Sequence, residues 1–535
     1  MKLGNLLYPA LLFFLPYSAI AADWQWSVQV KSVMSRETKD NPTAFLWIPP
    51  NCKQVRGVVV GQHNMLEEGI FEHKRFRKTL QELGFAEIWV SPFLNAVFNF
   101  DAGEHFNEMM KSLADVSGYE ELEFAPIVPI GHSAAASYPW NFAAWNPGRT
   151  LAVLTIHGDA PLASMTGSGQ PNPDWNNRKI DGIPGLIVIG EYEWLEGRIQ
   201  PAIQFKSSNP QSTIALLADA GYGHFDYSDD MVDFLTMFIR KAAEQRLPIH
   251  MPFNAPVKLN PVNPQSGWLV DRWRMNEPLT AAAKPFDKYK GNKDEAFWAF
   301  DKEMAKATEK YYSKARAKIP QYIGYTQQGK LLPGAGSFVG YRPVFKPLAD
   351  GLTFHVNAAF IDSAQSGIFT DKHARGKITI SGICGPVQQV DDTTFTIRFY
   401  RMGLNNVKRT GDIWLMASHP GDKKYKSAVQ QANFRIPLRN EDGSEQIISF
   451  PRISNQKEGL KSLSLQATSS AGVPVYFYVK EGPAELYGNT LVFNNIPPRA
   501  KFPVKVTVVA WQWGSNGSSK LKSAEPVERS FYLTK

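Results

Sequence analysis

Apolar residues in the first 250 positions fall into two rhythms that replace each other along the chain. Short unbroken runs, as at 57–61, 86–90, 125–130, 151–156, 186–189 and 213–218, have the composition of strands buried on both faces. Between them, apolar positions recur every three or four residues. In 67–83 these are Ile70, Phe71, Phe76, Leu80 and Leu83, with Gly84 at the C-terminal end. Further helices are expected over 108–122, 134–145, 195–206 and 229–244. Strands alternating with helices through short connections predict an α/β fold: a doubly wound, mostly parallel sheet with helices on both faces. The stretches 24–30 and 43–47 also read as strands but have no helix between them, which predicts an antiparallel hairpin at one edge.

Beyond residue 250 the rhythm changes. Pro252, Pro256, Pro261 and Pro264 interrupt any regular element, and 251–342 reads as a wrapping linker. One helix is expected within it over 294–318, where Phe297, Phe300, Met304 and Tyr311 recur at helical steps. From 343 on, short alternating runs such as Thr353-His355-Asn357 and Thr394-Thr396-Arg398, broken by Gly, Asp and Asn, predict C-terminal β-sandwich domains. The expected division is a signal peptide at 1–21, an α/β domain at 22–250, the linker at 251–342, a β-sandwich at 343–440 and a second, Ig-like one at 441–535.

Composition narrows the class. With 535 residues, the chain exceeds what one core holds, and 43% hydrophobic with 20% charged residues is ordinary for a globular protein. The net charge of +8 is scattered rather than gathered into a basic arm, so no nucleic-acid partner is expected. Lys2, the apolar run from Leu6 to Phe14 and Ala19-Ile20-Ala21 match a cleavable secretory signal, which implies a secreted or periplasmic product starting at Ala22. No Cys follows the cleavage point, so no membrane anchor is expected. Cys52 and Cys384, the two cysteines of the chain, fall in different expected domains and read as unpaired buried thiols. No His, Cys, Asp or Glu cluster has metal-ligand spacing, and neither a metal nor a cofactor is implied.

The candidate chemistry centres on Gly131-His132-Ser133-Ala134-Ala135, which follows a strand and opens a helix. Small residues around such a turn let it lift the Ser hydroxyl clear of the sheet. Acyl transfer by Ser133 would need a base, a carboxylate to orient that base, and donors for the oxyanion. His224, between Gly223 and Phe225 in the loop before the final helix of the sheet, is the candidate base. Three carboxylates follow strand ends: Glu193 is preferred, then Glu191, with Asp159 the third. One oxyanion donor would be the Ala134 N–H, and the second would come from Asn64 or Met65. His63 beside them, with Trp140 and Trp175, forms a candidate substrate-binding wall, extended by Trp145.

The order Ser133, Glu193, His224, with Gln62-His63-Asn64 upstream, resembles the α/β-hydrolase superfamily over about residues 23–247. In that family the acid commonly sits three residues after a strand-end Gly such as Gly190, which favours Glu193. The family usually shows His-Gly at the oxyanion loop, whereas this chain has His63-Asn64. An exported hydrolase with C-terminal β-sandwiches resembles bacterial polysaccharide esterases. The expected substrate is therefore an acetyl, methyl or feruloyl ester on a polysaccharide or oligosaccharide. Two alternatives are a secreted serine peptidase of the same superfamily, with Glu67-Glu68 as the anchor for a peptide terminus, and a non-catalytic glycan-binding protein on a hydrolase fold.

Overall fold

Val58, Val59 and Val60 send alternate side chains to opposite faces of a central sheet, Val58 and Val60 into one apolar core and Val59 into another. They belong to β3 (Gly57–Gln62). A computed structural model of the chain describes residues 24–163, 170–336, 339–364, 367–404, 406, 409–517 and 520–535. The signal peptide expected at 1–21 lies outside the described residues.

The sheet has eight strands: β1 (Trp26–Gln29), β2 (Thr43–Trp47), β3, β4 (Phe85–Ser91), β5 (Ile127–His132), β6 (Val153–Ile156), β7 (Pro184–Gly190) and β8 (Thr213–Asp219). Their order is β1-β2-β4-β3-β5-β6-β7-β8. β1 pairs antiparallel with β2 (Trp26 opposite Leu46), and β2 pairs antiparallel with β4. All other neighbours are parallel, with Val59 opposite Val128 where β3 meets β5. The edge hairpin and the doubly wound sheet are thus as the apolar rhythm implied.

Helices α1 (Glu67–Phe71), α2 (Lys74–Leu83), α3 (Ala102–Ser117), α4 (Tyr138–Trp145) and α5 (Glu196–Ser208) lie in the crossovers, and α6 (Asp229–Arg246) follows β8. The single helix expected over 67–83 is in fact two. His73 takes an extended backbone (φ −70, ψ 126), and its side chain caps α2 by accepting from the Arg75 N–H. The helix after Ser133 also starts later than expected. A short 3-10 turn, Ser133–Ala135, comes first, and α4 carries Pro139 in its first turn, where no N–H is needed.

The helix expected over 294–318 is not formed over 294–301 and stops at Ser313. Phe297 to Ala299 form β11, which pairs antiparallel with β9 (Trp268–Val270); β10 (Lys284–Pro285) flanks β9 on its other side. The helix itself is α7 (Lys302–Ser313), begun where the Asp301 side chain accepts from the Met304 N–H. From Tyr322 onward the chain is β-rich, built of small, mostly antiparallel sheets. One joins Thr379–Cys384, Asp412–His419 and Ala428–Arg435. Cores form around Phe354, Phe395 and Phe434 and around Phe477, Val506 and Phe531; Trp511 and Trp513 belong to the first. Cys52 and Cys384 are both free thiols.

Candidate active site

The sheet order and register of β1 to β8 give the N-terminal part of the chain the α/β-hydrolase fold, so its chemistry belongs at the C-terminal strand ends. β5 ends at His132, and Ser133 turns the chain sharply, with φ +49. The turn is tight because Gly131 allows it: a Cβ there would lie 2.2 Å from the Ala135 carbonyl oxygen.

The three expected side chains converge. Ser133 Oγ is 2.7 Å from His224 Nε2, and His224 Nδ1 is 2.6 Å from Glu193 Oε2. A carboxylate only accepts, so Nδ1 carries the proton and Nε2 is left to accept from the Ser133 hydroxyl. Glu193 also accepts from the Gly190 N–H at 3.0 Å and from Arg198 Nη1 at 2.9 Å. Burial would push its carboxyl up, but hydrogen bonds and charge from His157 and His224 hold it well below the usual carboxylate range.

His157 is the functional residue that the sequence reading missed. It ends the β6 region with φ +48, is fully buried, and places Nδ1 2.6 Å from Glu193 Oε1. The sequence signal lies in His157-Gly158-Asp159, where the residue just after the strand, and not the carboxylate two positions on, reaches Glu193. Asp159 is buried and accepts from Trp140 Nε1 through its backbone carbonyl, 2.8 Å away. Glu191 faces elsewhere too, with Oε1 on Lys426 and Oε2 on the Gly221 N–H. Glu193 is the carboxylate that bonds the His224 ring, through Oε2.

His132 supports the constellation from below. Its Nε2–H donates to the His224 carbonyl at 2.9 Å, and Nδ1 lies 3.2 Å from Asn64 Nδ2, which also donates to the His132 carbonyl at 2.8 Å. Burial, and then the neighbouring His224 and His157, hold its pKa well below the ordinary value.

The oxyanion expectation is partly corrected. The Asn64 and Met65 N–H groups both donate to Glu67 Oε2, at 3.2 and 3.0 Å, while the His132 N–H donates to Glu67 Oε1 at 2.8 Å. A buried carboxylate under the β3 loop therefore takes up the two expected donors and ties that loop to the end of β5. Of the three expected residues, Ala134 alone is not tied to Glu67. The peptide-anchor reading of Glu67-Glu68 fails for the same reason, since Glu68 is paired with Arg401.

The expected substrate-binding wall is also corrected. Trp140 and Trp175 are 1% and 5% exposed, too little to stack on a sugar, and Trp175 Nε1 donates to Asn141 Oδ1. His63 is buried, edge-on to Trp89 with ring centroids 5.0 Å apart. All three are packing groups.

No family model matches the chain, and no curated protein sequence matches it. Solved structures do. The chain is similar to an S-formylglutathione hydrolase from Agrobacterium tumefaciens at 15% identity, over 43% of this chain and 98% of that one, with a TM-score of 0.30. A highly thermostable carboxyl esterase from Bacillus coagulans matches at 11% identity, over 41% and 99%, with a TM-score of 0.28. EstE1, a carboxylesterase cloned from a metagenomic library, matches at 16%, over 42% and 90%, with a TM-score of 0.29. The fold rests on the strand order and register of β1 to β8 rather than on these overlaps.

Proposed function

We propose that this chain is an exported serine hydrolase that cleaves an ester on a polysaccharide through an acyl-enzyme on Ser133. The observation that carries the reading is the pair of contacts joining Ser133 Oγ, His224 and Glu193, 2.7 and 2.6 Å long. In the forward step Oγ attacks the ester carbonyl carbon while His224 Nε2 takes its proton. The tetrahedral oxyanion forms beside the Ala134 N–H, at the start of the 3-10 turn. His224 then returns the proton to the departing alkoxide oxygen, and the alcohol leaves. Water attacks the acyl-enzyme by the same route, releasing the acid and restoring Ser133. Glu193 stays ionised throughout and holds the imidazolium in place.

The occupied Glu67 and Glu68 favour an ester over a peptide, because neither carboxylate is left to bind a peptide amino terminus. A polymeric glycan is favoured by the presence of a β-rich part beside the α/β domain; it packs on the β3 loop, where Arg409 Nη1 donates to the Asn64 carbonyl at 3.0 Å, and on the loop carrying His224, where the Trp414 ring lies tilted against Phe225 with centroids 5.1 Å apart. Export rests on the leader-like first 21 residues.

The test is release of acetate, methanol or ferulate from glycans carrying each ester, run beside dipeptide amides and with Ser133→Ala as control. Turnover of one glycan ester that disappears in Ser133→Ala supports the proposal. Turnover of amides alone moves the assignment to a peptidase. No fluorophosphonate labelling of Ser133 together with glycan binding moves it to a binding protein.

A further inference from the structure

The turn that carries Glu193 is only three residues long, Glu191–Glu193, closed by the Trp194 N–H on the Glu191 carbonyl and by the Gly190 N–H on Glu193 Oε1. A further anchor comes from the β-rich part of the chain. Lys426 Nζ lies 2.6 Å from Glu191 Oε1, with the two side chains 9% and 3% exposed. The second Glu191 oxygen accepts from the Gly221 N–H at 2.8 Å, so one carboxylate joins the acid turn to the loop that carries His224. Next to it the Tyr192 hydroxyl donates to the Ser427 carbonyl. Ser427 Oγ also fills the space beside Gly221, where an added Cβ would lie 1.5 Å from it.

We propose that Glu191 and Lys426 are a positioning pair, reaching from the β-rich region to the triad, that sets the acid turn and the histidine loop at their working distance. The proposal rests on the reading of Ser133 as nucleophile. Glu191 touches no reacting atom; it acts through Glu193, two residues on, and through Gly221, three residues before His224. Displacing a catalytic group by about 1 Å is enough to slow a reaction by about 10²-fold. A buried charge that loses its partner displaces its surroundings, because it must find water or another partner. A second ion pair between residues distant in sequence provides the contrast. Arg499 Nη1 lies 2.7 Å from Glu121 Oε1 just before β5, at the opposite end of the sheet from Ser133.

The experiment measures Ser133 labelling by a fluorophosphonate, resolved into a maximal rate and a half-saturating concentration, alongside thermal melting of the full chain. Lys426→Met and Glu191→Gln should each lower the maximal rate at least about tenfold with the half-saturating concentration within about twofold. Lys426→Arg should recover most of the rate. Arg499→Met should label within about twofold of the unmodified chain, even where its melting point falls as far. Glu191→Gln keeps the side-chain volume and an acceptor for Gly221, so it reports on the pair if Lys426→Met fails to fold. A rate within twofold of the unmodified chain in Glu191→Gln or in folded Lys426→Met, or losses no greater than in Arg499→Met, overturns the proposal. Absence of labelling in the unmodified chain overturns the serine-hydrolase reading first, and this inference with it.

Discussion

His157 Nδ1 stands 2.6 Å from Glu193 Oε1, so the carboxylate that orients the His224 imidazole is itself held by a second imidazole. Each oxygen of Glu193 serves one ring, and neither can rotate without breaking a bond. His157→Phe keeps the ring volume and removes the donor. A hydrogen bond to a charged group contributes about 1.5–3 kcal/mol, so the variant should lose about that much stability in urea unfolding. Ser133 labelling should slow about tenfold as the carboxylate gains freedom. Labelling at the unmodified rate would reduce His157 to a packing residue.

Glu193→Gln tests which acid serves the base. The amide can accept from one imidazole, but it presents an NH2 group to the other, which has an N–H of its own to place. One ring must then change tautomer or swing away. In a serine-protease triad the corresponding carboxylate-to-amide change lowers turnover by about 10⁴-fold, and a loss of about 10³–10⁴-fold in labelling rate is expected here. A loss under tenfold would return the role to Asp159 or Glu191.

Ser133, Glu193 and His224 were legible because each sits where a strand rhythm stops and small or polar residues begin, and that pattern is local. His157 was not, because nothing local marks a left-handed backbone (φ +48) or shows which of two neighbouring residues turns inward. The acceptor that takes up the Asn64 and Met65 N–H groups, Glu67, is only three and two residues away, but what fixes it there, its bond from the His132 N–H on β5, is distant in sequence. Phe297 and Phe300 illustrate a different limit. An apolar pair three residues apart suits a helix face, yet Phe297 pairs with Val270 in a strand while Phe300 lies 5.3 Å from the ring of Phe238. Tertiary partners decided between the two, and they are distant in sequence.

Trp140 separates packing from substrate binding. The ring is buried against β7, where a Cβ on Gly185 would lie 2.3 Å from it, and Nε1 donates to the Asp159 carbonyl. Trp140→Ala should therefore destabilise the chain by about 3–5 kcal/mol in urea unfolding, the usual range for deleting a buried aromatic ring. The folded fraction should keep its half-saturating concentration for a glycan ester. An unchanged unfolding curve with a large rise in that concentration would reinstate the sugar-stacking wall.

Glu67 gives stability a dependence on pH that one substitution isolates. Burial pushes its carboxyl up to about 7 from the ordinary 4.5, with four backbone hydrogen bonds, the first from the His132 N–H, opposing the rise. Between those two values the unfolded chain has released a proton that the folded chain keeps. The stability linked to Glu67 is thus complete below pH 4.5 and lost as pH rises through about 7. At about 1.4 kcal/mol for each tenfold change in proton concentration, the loss amounts to about 3 kcal/mol. Glu67→Gln cannot titrate. Its amide will cost something by facing backbone N–H groups, but that cost is the same at every pH. The difference in unfolding free energy, unmodified chain minus Glu67→Gln, should therefore fall by about 3 kcal/mol between pH 4.5 and 7.5 in urea titrations. Parallel curves across that range would mean that Glu67 is already ionised at pH 4.5, held as a carboxylate by the three loop and strand N–H groups it joins.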